Sequence, residues 1–96
     1  MIVGWLRVRL LIREARSLKD KRQVVQSIKE RLRQRFSVAV AEVDAQDKHQ
    51  LAVLGFAAVG NEHAPVQAVL QQIVDALRGH PVAELCDHEI QVDRVE

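Results

Sequence analysis

The sequence is poor in aromatic residues, in cysteine and in long apolar runs, and each shortage excludes a class of protein. Its 96 residues include one Trp, two Phe and no Tyr, so the paired aromatics of base-stacking RNA-binding sheets are missing. The single cysteine, Cys86, excludes an internal disulfide and fits a reducing compartment. No stretch approaches the roughly 18 apolar residues that a membrane-spanning helix needs. We therefore expect one cytoplasmic domain over residues 1–96.

The patterns that hold a metal or carry out catalysis are also missing. Zinc sites usually show paired Cys or His at recurring spacing, whereas here only Cys86 and His88 fall close together. On an alternating strand these two side chains would share one face and be half-buried. Gly55 and Gly60 belong to no phosphate-binding loop. We expect a binding protein that is not an enzyme and has no catalytic residue, no metal and no cofactor.

Charge is strongly separated along the chain. Residues 1–36 contain eleven Lys and Arg against three acids, a net charge of +8. Residues 37–96 contain three Lys and Arg against ten acids, a net charge of −7. The whole chain therefore has a formal net charge of only +1. This separation predicts a dipolar surface whose positive side attracts a polyanion.

Apolar periodicity predicts four strands and two helices. Residues 2–12, 37–43, 51–59 and 82–95 have strand patterns, and residues 18–35 and 62–78 have helical ones. Ser17 is the predicted N-cap of the first helix, and Gly60-Asn61 caps the second. The order β-α-β-β-α-β predicts a ferredoxin-like α+β fold, in which both helices cover one face of a four-stranded antiparallel sheet. The polar loop of residues 44–50 has no apolar anchor, which predicts mobility.

Several short motifs follow one another along the chain. They are Ala15-Arg16-Ser17-Leu18-Lys19-Asp20-Lys21-Arg22, Arg31-Leu32, Arg35-Phe36, Val40-Ala41-Glu42-Val43, Gln46-Asp47, Leu54-Gly55 and Val59-Gly60-Asn61. From Met1 to about Val92 the chain resembles the YlxP-like family of small uncharacterised bacterial proteins, which has carried a "domain of unknown function" label. The resemblance implies a ferredoxin-like fold. Its members are often encoded beside transcription-termination, translation-initiation and ribosome-maturation factors, which implies a role near RNA or the ribosome.

The first predicted helix is the leading candidate for phosphate binding. Lys19, Arg22, Lys29 and Arg33 fall within one quadrant beside the apolar stripe, and Lys21 joins the first two in the first turns. Cations near a helix N-terminus are unfavourable by about 0.3–1 kcal/mol each, so stability does not explain them. Free backbone N–H groups beside cations suit a phosphate group. The alternative is an ordinary solvated helix face whose cations pair with acids of the second half.

The sheet is the second candidate for a nucleic-acid-binding surface. Trp5, Arg7 and Arg9 share one face of the first strand, and with Phe56 of the third strand they would resemble a base-stacking sheet. The other interpretation is that a second subunit covers this face. The third strand favours the second subunit, because its apolar residues point to both faces and helices cover only one.

Two functions remain open from the sequence. The first is a non-enzymatic RNA- or ribosome-associated binding module. The second is a homodimeric regulatory or small-ligand-binding domain that has no nucleic-acid role and pairs through the open sheet face. Neither involves a membrane. The predicted phosphate contacts are Arg7, Arg9, Arg16, Lys19, Lys21, Arg22, Lys29 and Arg33.

Overall fold

The chain folds into four strands and two helices in the predicted order. A computed structural model describes residues 1–96. The element boundaries lie within two residues of those predicted, and neither helix is long and apolar enough to cross a bilayer. The elements are β1 (Ile2–Leu11), α1 (Leu18–Arg35), β2 (Ala39–Asp44), β3 (Leu51–Gly60), α2 (His63–Arg78) and β4 (Glu84–Arg94).

The strands form one antiparallel sheet in the order β2-β3-β1-β4. In the register of the sheet, Leu6 of β1 lies opposite Phe56 of β3 on one side and Ile90 of β4 on the other. Buried residues of both helices and of one sheet face belong to a single apolar core. Both helices therefore cover the same face, and the ferredoxin-like α+β fold is confirmed.

Alternation along β1 decides which sheet face the helices cover. Leu6, Val8 and Leu10 are completely buried, whereas Arg7 and Arg9 are exposed on the opposite side. Burial of each aliphatic side chain contributes about 1.5–3 kcal/mol, which fixes the register and the covered face together. We call the uncovered side of the sheet the open face.

The two helices begin differently. At α1 the Ser17 Oγ accepts a hydrogen bond from the backbone N–H of Asp20 (3.1 Å), as the sequence predicts for an N-cap. At α2 the N-cap is Glu62, and its side chain makes no capping hydrogen bond. The prediction that Gly60-Asn61 caps α2 was wrong, because β3 continues through Gly60 and the helix begins only at His63.

Helix α2 lies very close to β1 above Gly4. A Cβ atom added at Gly4 would lie 2.7 Å from Val66 Cγ1 and 2.8 Å from Leu70 Cδ1. Both distances are well inside the 3.5–4.0 Å of an ordinary carbon–carbon contact. The missing side chain at Gly4 therefore sets how closely α2 packs on the sheet.

A β-bulge interrupts β4 at Cys86. Arg9 pairs with Asp87 and Leu10 with Leu85, which leaves Cys86 without a partner on β1. Cys86 and His88 are both exposed, not half-buried as predicted. The bulge takes Cys86 out of the ladder, and His88 is exposed although it pairs with Val8, because β4 is an edge strand.

Candidate nucleic-acid interface

Cations line the outer side of α1. The apolar stripe of the helix faces the core, and the neighbouring quadrant faces water. Lys19, Arg22 and Lys29 line a shallow surface groove of about 810 Å³ beside the helix. Arg31 joins them, whereas Arg33 lies outside the groove. The structure thus brings together three of the four cations that the spacing placed in one quadrant.

These cations have no acidic partner. The structure contains four ion pairs, and the exposed cations of α1 take part in none of them. Both acids of α1 are engaged otherwise: Asp20 accepts the backbone N–H of Arg16 (2.9 Å), and Glu30 accepts Gln26 Nε2 (2.9 Å). These two carboxylates keep their charge, but the cations on this side outnumber them, so its net charge is positive. The unpaired cations of α1 are Lys19, Arg22, Lys29, Arg31, Arg33 and Arg35, and Arg16, just before the helix, is unpaired as well.

The arginines of β1 are in a different electrostatic situation, because each is paired with an acid of the neighbouring strand. The paired side chains are about half exposed, so each pair adds only about 0–1 kcal/mol to stability, yet it cancels the local charge. A phosphate group would have to displace a carboxylate to reach Arg7 or Arg9. The pairs are Arg7 Nη2–Glu89 Oε1 (3.3 Å) and Arg9 Nη1–Asp87 Oδ2 (3.0 Å), and beyond the strand Arg13 Nη2–Glu84 Oε2 (3.0 Å).

Lys21 is completely buried, which corrects its assignment as a surface phosphate contact. Its Nζ donates to the backbone carbonyls of Ala45 (2.8 Å) and Leu51 (3.2 Å), with that of Gln46 at 3.4 Å. The carboxylate of Glu42 on β2 completes the site, with Oε2 at 2.8 Å from Nζ. We call these five residues the Lys21 clamp. Since all its donors are used internally, Lys21 has none left for a ligand.

The spacing of α1 contains a signal for the burial of Lys21. Leu18 and Val25 of the apolar stripe are seven residues apart, and Lys21 stands three residues after the first and four before the second. That is a position of the buried stripe itself. A lysine there packs its aliphatic stem and needs oxygen atoms for its ammonium group. The sequence does not reveal those oxygens, because they are carbonyls 24–30 residues further along the chain.

The Lys21 clamp anchors the loop between β2 and β3. The loop turns at Ala45, whose φ of 59° lies in the left-handed region, and the Ala45 carbonyl faces the Lys21 ammonium. At the other end of the loop, Gln50 Nε2 donates to the carbonyls of Arg13 (3.1 Å) and Ala15 (3.3 Å). The loop has polar anchors that its lack of apolar residues did not reveal, and its mobility stays a prediction.

The open face carries one aromatic side chain. Phe56 is only 2% exposed and belongs to the core, whereas Trp5 is 39% exposed on the open face. Base-stacking sheets stack two or three bases on several aromatics. Trp5 alone, beside ion-paired arginines, does not form such a platform.

The β2–β3 half of the open face is apolar. A groove of about 430 Å³ runs along it, and we call it the apolar groove. Val43 at one end is 52% exposed, and Val59 of the neighbouring strand is 66% exposed. β2 is an edge strand whose outer backbone groups have no partner strand. The residues that line the groove on the open face are Trp5, Arg7, Ala39, Ala41, Val43, Gly55 and Ala57.

Comparison with known sequences identifies the family. Residues 3–90 match the family described as "Protein of unknown function (DUF503)". The chain belongs to this family. The uncharacterised protein YlxP of Bacillus subtilis (strain 168) is 30% identical to the chain over 83 residues, which cover 86% of this chain and 90% of that protein. The resemblance to the YlxP-like family is thereby confirmed.

The span that matches the family contains the whole of α1 and the Lys21 clamp. One motif within this span has a structural part and an exposed part: Ser17-Leu18-Lys19-Asp20-Lys21-Arg22. Ser17 caps the helix and Lys21 anchors the hairpin. Lys19 and Arg22 lie in the groove beside the helix.

Proposed function

We propose that this protein is a non-enzymatic RNA- or ribosome-associated binding module, located in the cytoplasm, that contacts phosphates through the outer side of α1. The observation that carries the proposal is the contrast between two sets of cations. Those of β1 are paired with carboxylates, whereas those of α1 other than the buried Lys21 have no acid within 4.0 Å. Unpaired cations are the ones free to release counterions when they meet a polyanion.

The arrangement suits a phosphate backbone better than the edges of bases. Lys19, Arg22 and Lys29 follow one side of a helix, separated by one turn and then by two, a line along which a nucleic-acid backbone can run. The aromatic side chains lie elsewhere: Phe36 and Phe56 are in the core and Trp5 is on the open face. We therefore infer binding with little sequence preference, governed by charge and by the shape of the RNA.

The first prediction compares two triple variants that remove the same number of positive charges. Lys19→Gln/Arg22→Gln/Lys29→Gln should weaken binding of a single-stranded RNA of about 20 nucleotides at least tenfold at about 50 mM salt. The slope of log affinity against log salt should flatten by about 2–3, since each lost phosphate contact contributes roughly 0.7–0.9. Fluorescence anisotropy over a salt series measures both quantities.

The matched control is Arg7→Gln/Arg9→Gln/Arg13→Gln, which removes three arginines that are already paired. Its RNA affinity should stay within about threefold of the parent, because no free positive charge is lost. If both triple variants lost RNA affinity equally, the result would show that binding depends only on the net charge of the protein. Absence of any RNA or ribosomal-particle binding by the parent at this salt concentration would overturn the proposal.

The apolar groove supports a second candidate, a homodimer paired through the β2–β3 half of the open face. Single exposed apolar residues are ordinary on protein surfaces, but a contiguous apolar groove beside an unpaired edge strand is typical of an interface. A second copy would present the same groove and the same edge, as a two-fold interface requires. This candidate is compatible with RNA binding, because α1 lies on the other side of the sheet.

The second prediction uses Trp5, the only tryptophan, as a probe of self-association. As concentration rises to about 100 µM, its emission should shift to shorter wavelength while sedimentation velocity shows a dimer. Ala57→Lys introduces a charge into the apolar groove and should keep the protein monomeric, whereas Gln71→Lys on the exposed side of α2 should not. A parent that sediments as a monomer at that concentration would exclude the homodimer.

A further inference from the structure

A second cleft lies between the C-terminal halves of α1 and α2. Its volume is about 110 Å³. The floor is formed by Ile28, Leu32 and Leu77, which are buried, with Ala76 beside them. The rim is polar and consists of Arg31, Arg35 and His80. The cleft is thus apolar below and cationic above.

The two arginines of the rim repel each other without any nearby compensation. Arg31 and Arg35 are one helical turn apart, a spacing at which like charges destabilise a helix. Neither forms an ion pair with an acid. The guanidinium carbon of Arg35 lies 5.1 Å from the centroid of the Phe36 ring, which holds that side chain at the end of the helix. The arrangement becomes favourable when an anion joins the two guanidinium groups.

His80 supplies a third polar group, and its hydrogen bonds determine which form of the imidazole is present. Nδ1 accepts the backbone N–H groups of Val82 (3.1 Å) and Ala83 (2.9 Å). The neutral ring therefore carries its proton on Nε2, where it serves as a donor. Burial, and after it the Arg31 guanidinium, lower the pKa of His80 below the ordinary value of 6.5.

We propose that this cleft binds a small carboxylate with an apolar body. Its carboxylate would lie between the guanidinium groups of Arg31 and Arg35, whose planar forks match carboxylate geometry. Its apolar part would lie on Ile28, Leu32 and Leu77. The volume of about 110 Å³ is smaller than the roughly 150 Å³ of the engineered cavity that holds benzene, but the cleft is open on one side, so one small ring can enter it in part. The proposal goes beyond RNA binding: the cleft lies at the opposite end of α1 from Lys19 and Arg22, and it shares only Arg31 with the groove beside that helix.

The third prediction tests this cleft with benzoate and two companions, benzyl alcohol and acetate. Benzyl alcohol has the ring without the charge, and acetate has the charge without the ring. Benzoate should bind saturably with millimolar affinity, seen as NMR shifts of the Ile28, Leu32 and Leu77 methyl groups. Benzyl alcohol and acetate should each bind at least tenfold more weakly. If benzyl alcohol or acetate bound as tightly as benzoate, the proposal would be overturned, because the ring or the charge alone would then account for the binding.

Variants on α1 provide the matched control. Arg31→Gln and Arg35→Gln should each weaken benzoate binding at least fivefold, whereas Arg33→Gln on the same helix lies outside the cleft and should change it less than twofold. Circular dichroism checks that the exposed substitutions leave the fold intact. If Arg33→Gln weakened benzoate binding as much as Arg31→Gln does, the binding would depend on the overall positive charge of the helix and not on the cleft. Arg35 borders the cleft but not the groove beside α1, so Arg35→Gln should leave RNA affinity within about twofold of the parent, which separates this site from the RNA-binding surface.

The imidazole of His80 offers an independent readout. A bound carboxylate favours the charged imidazolium, so benzoate should raise the pKa of His80, measured from the ring Cε1–H resonance. An unchanged pKa at saturating benzoate would contradict the position assigned to the carboxylate. The charged and titratable groups around this ring, which share its cleft or the depression on its other side, are Arg31, Arg35, Arg78, Arg13, Glu14 and Glu84.

Discussion

Replacing Lys21 by Met is expected to lower the free energy of unfolding by about 3–5 kcal/mol, the usual cost of removing one member of a buried charge pair. Met keeps the length and packing of the lysine stem, so the loss reports on the ammonium group. Without it, the Glu42 carboxylate loses its partner in a largely buried place, and the carbonyls of Ala45 and Leu51 lose their donor. Urea denaturation followed by circular dichroism measures the difference.

The same change should loosen the hairpin before the rest of the protein. Amide hydrogen exchange of residues 45–51 should accelerate, because the Lys21 clamp is what ties this loop to α1. Lys19→Met is the matched control: it is the same substitution two residues earlier, on a lysine that faces the groove and has no ion-pair partner. Its effect should stay within about 0.5 kcal/mol. A Lys21→Met variant as stable as the control would show that the clamp contributes nothing to stability.

Replacing Gly4 by Ala is expected to destabilise the protein by about 1–3 kcal/mol through overpacking. Glycine within a strand normally weakens it, so Ala at an unobstructed position would be neutral or better. Here the added methyl group would meet Val66 and Leu70 at 2.7 and 2.8 Å. Helix α2 would have to move away from β1, and the core beneath it would loosen. Thermal and urea denaturation both measure this loss.

Two further variants isolate the close approach. In a Val66→Ala background the cost of Gly4→Ala should fall, since one of the two obstructing side chains is shortened, and a double-mutant cycle gives the coupling. Gly79→Ala has nothing within 4 Å of its added Cβ and a φ of −94°, so its effect should lie within about 0.5 kcal/mol or be stabilising. Equal costs at Gly4 and Gly79 would contradict the packing argument.

The candidate site was only partly predictable from the sequence. The quadrant of Lys19, Arg22 and Lys29 follows from helical spacing alone, and the structure places these three side chains in one groove. Arg7 and Arg9 were assigned to the same function, but acids about 80 residues away neutralise them. Such pairs depend on the β1–β4 register, which no local pattern specifies.

The sequence by itself determined the order of elements, the covered face of the sheet and the sign of charge on α1. Each of these follows from local periodicity, because strands alternate every two residues and helices repeat every 3.6. The tertiary structure alone decided which cations are free. Lys21 and Lys19 are two residues apart on one helix, yet one is enclosed by carbonyls from a distant hairpin and the other faces water. Contacts between elements far apart in sequence made that distinction, since the energy of a charge depends on the atoms that surround it.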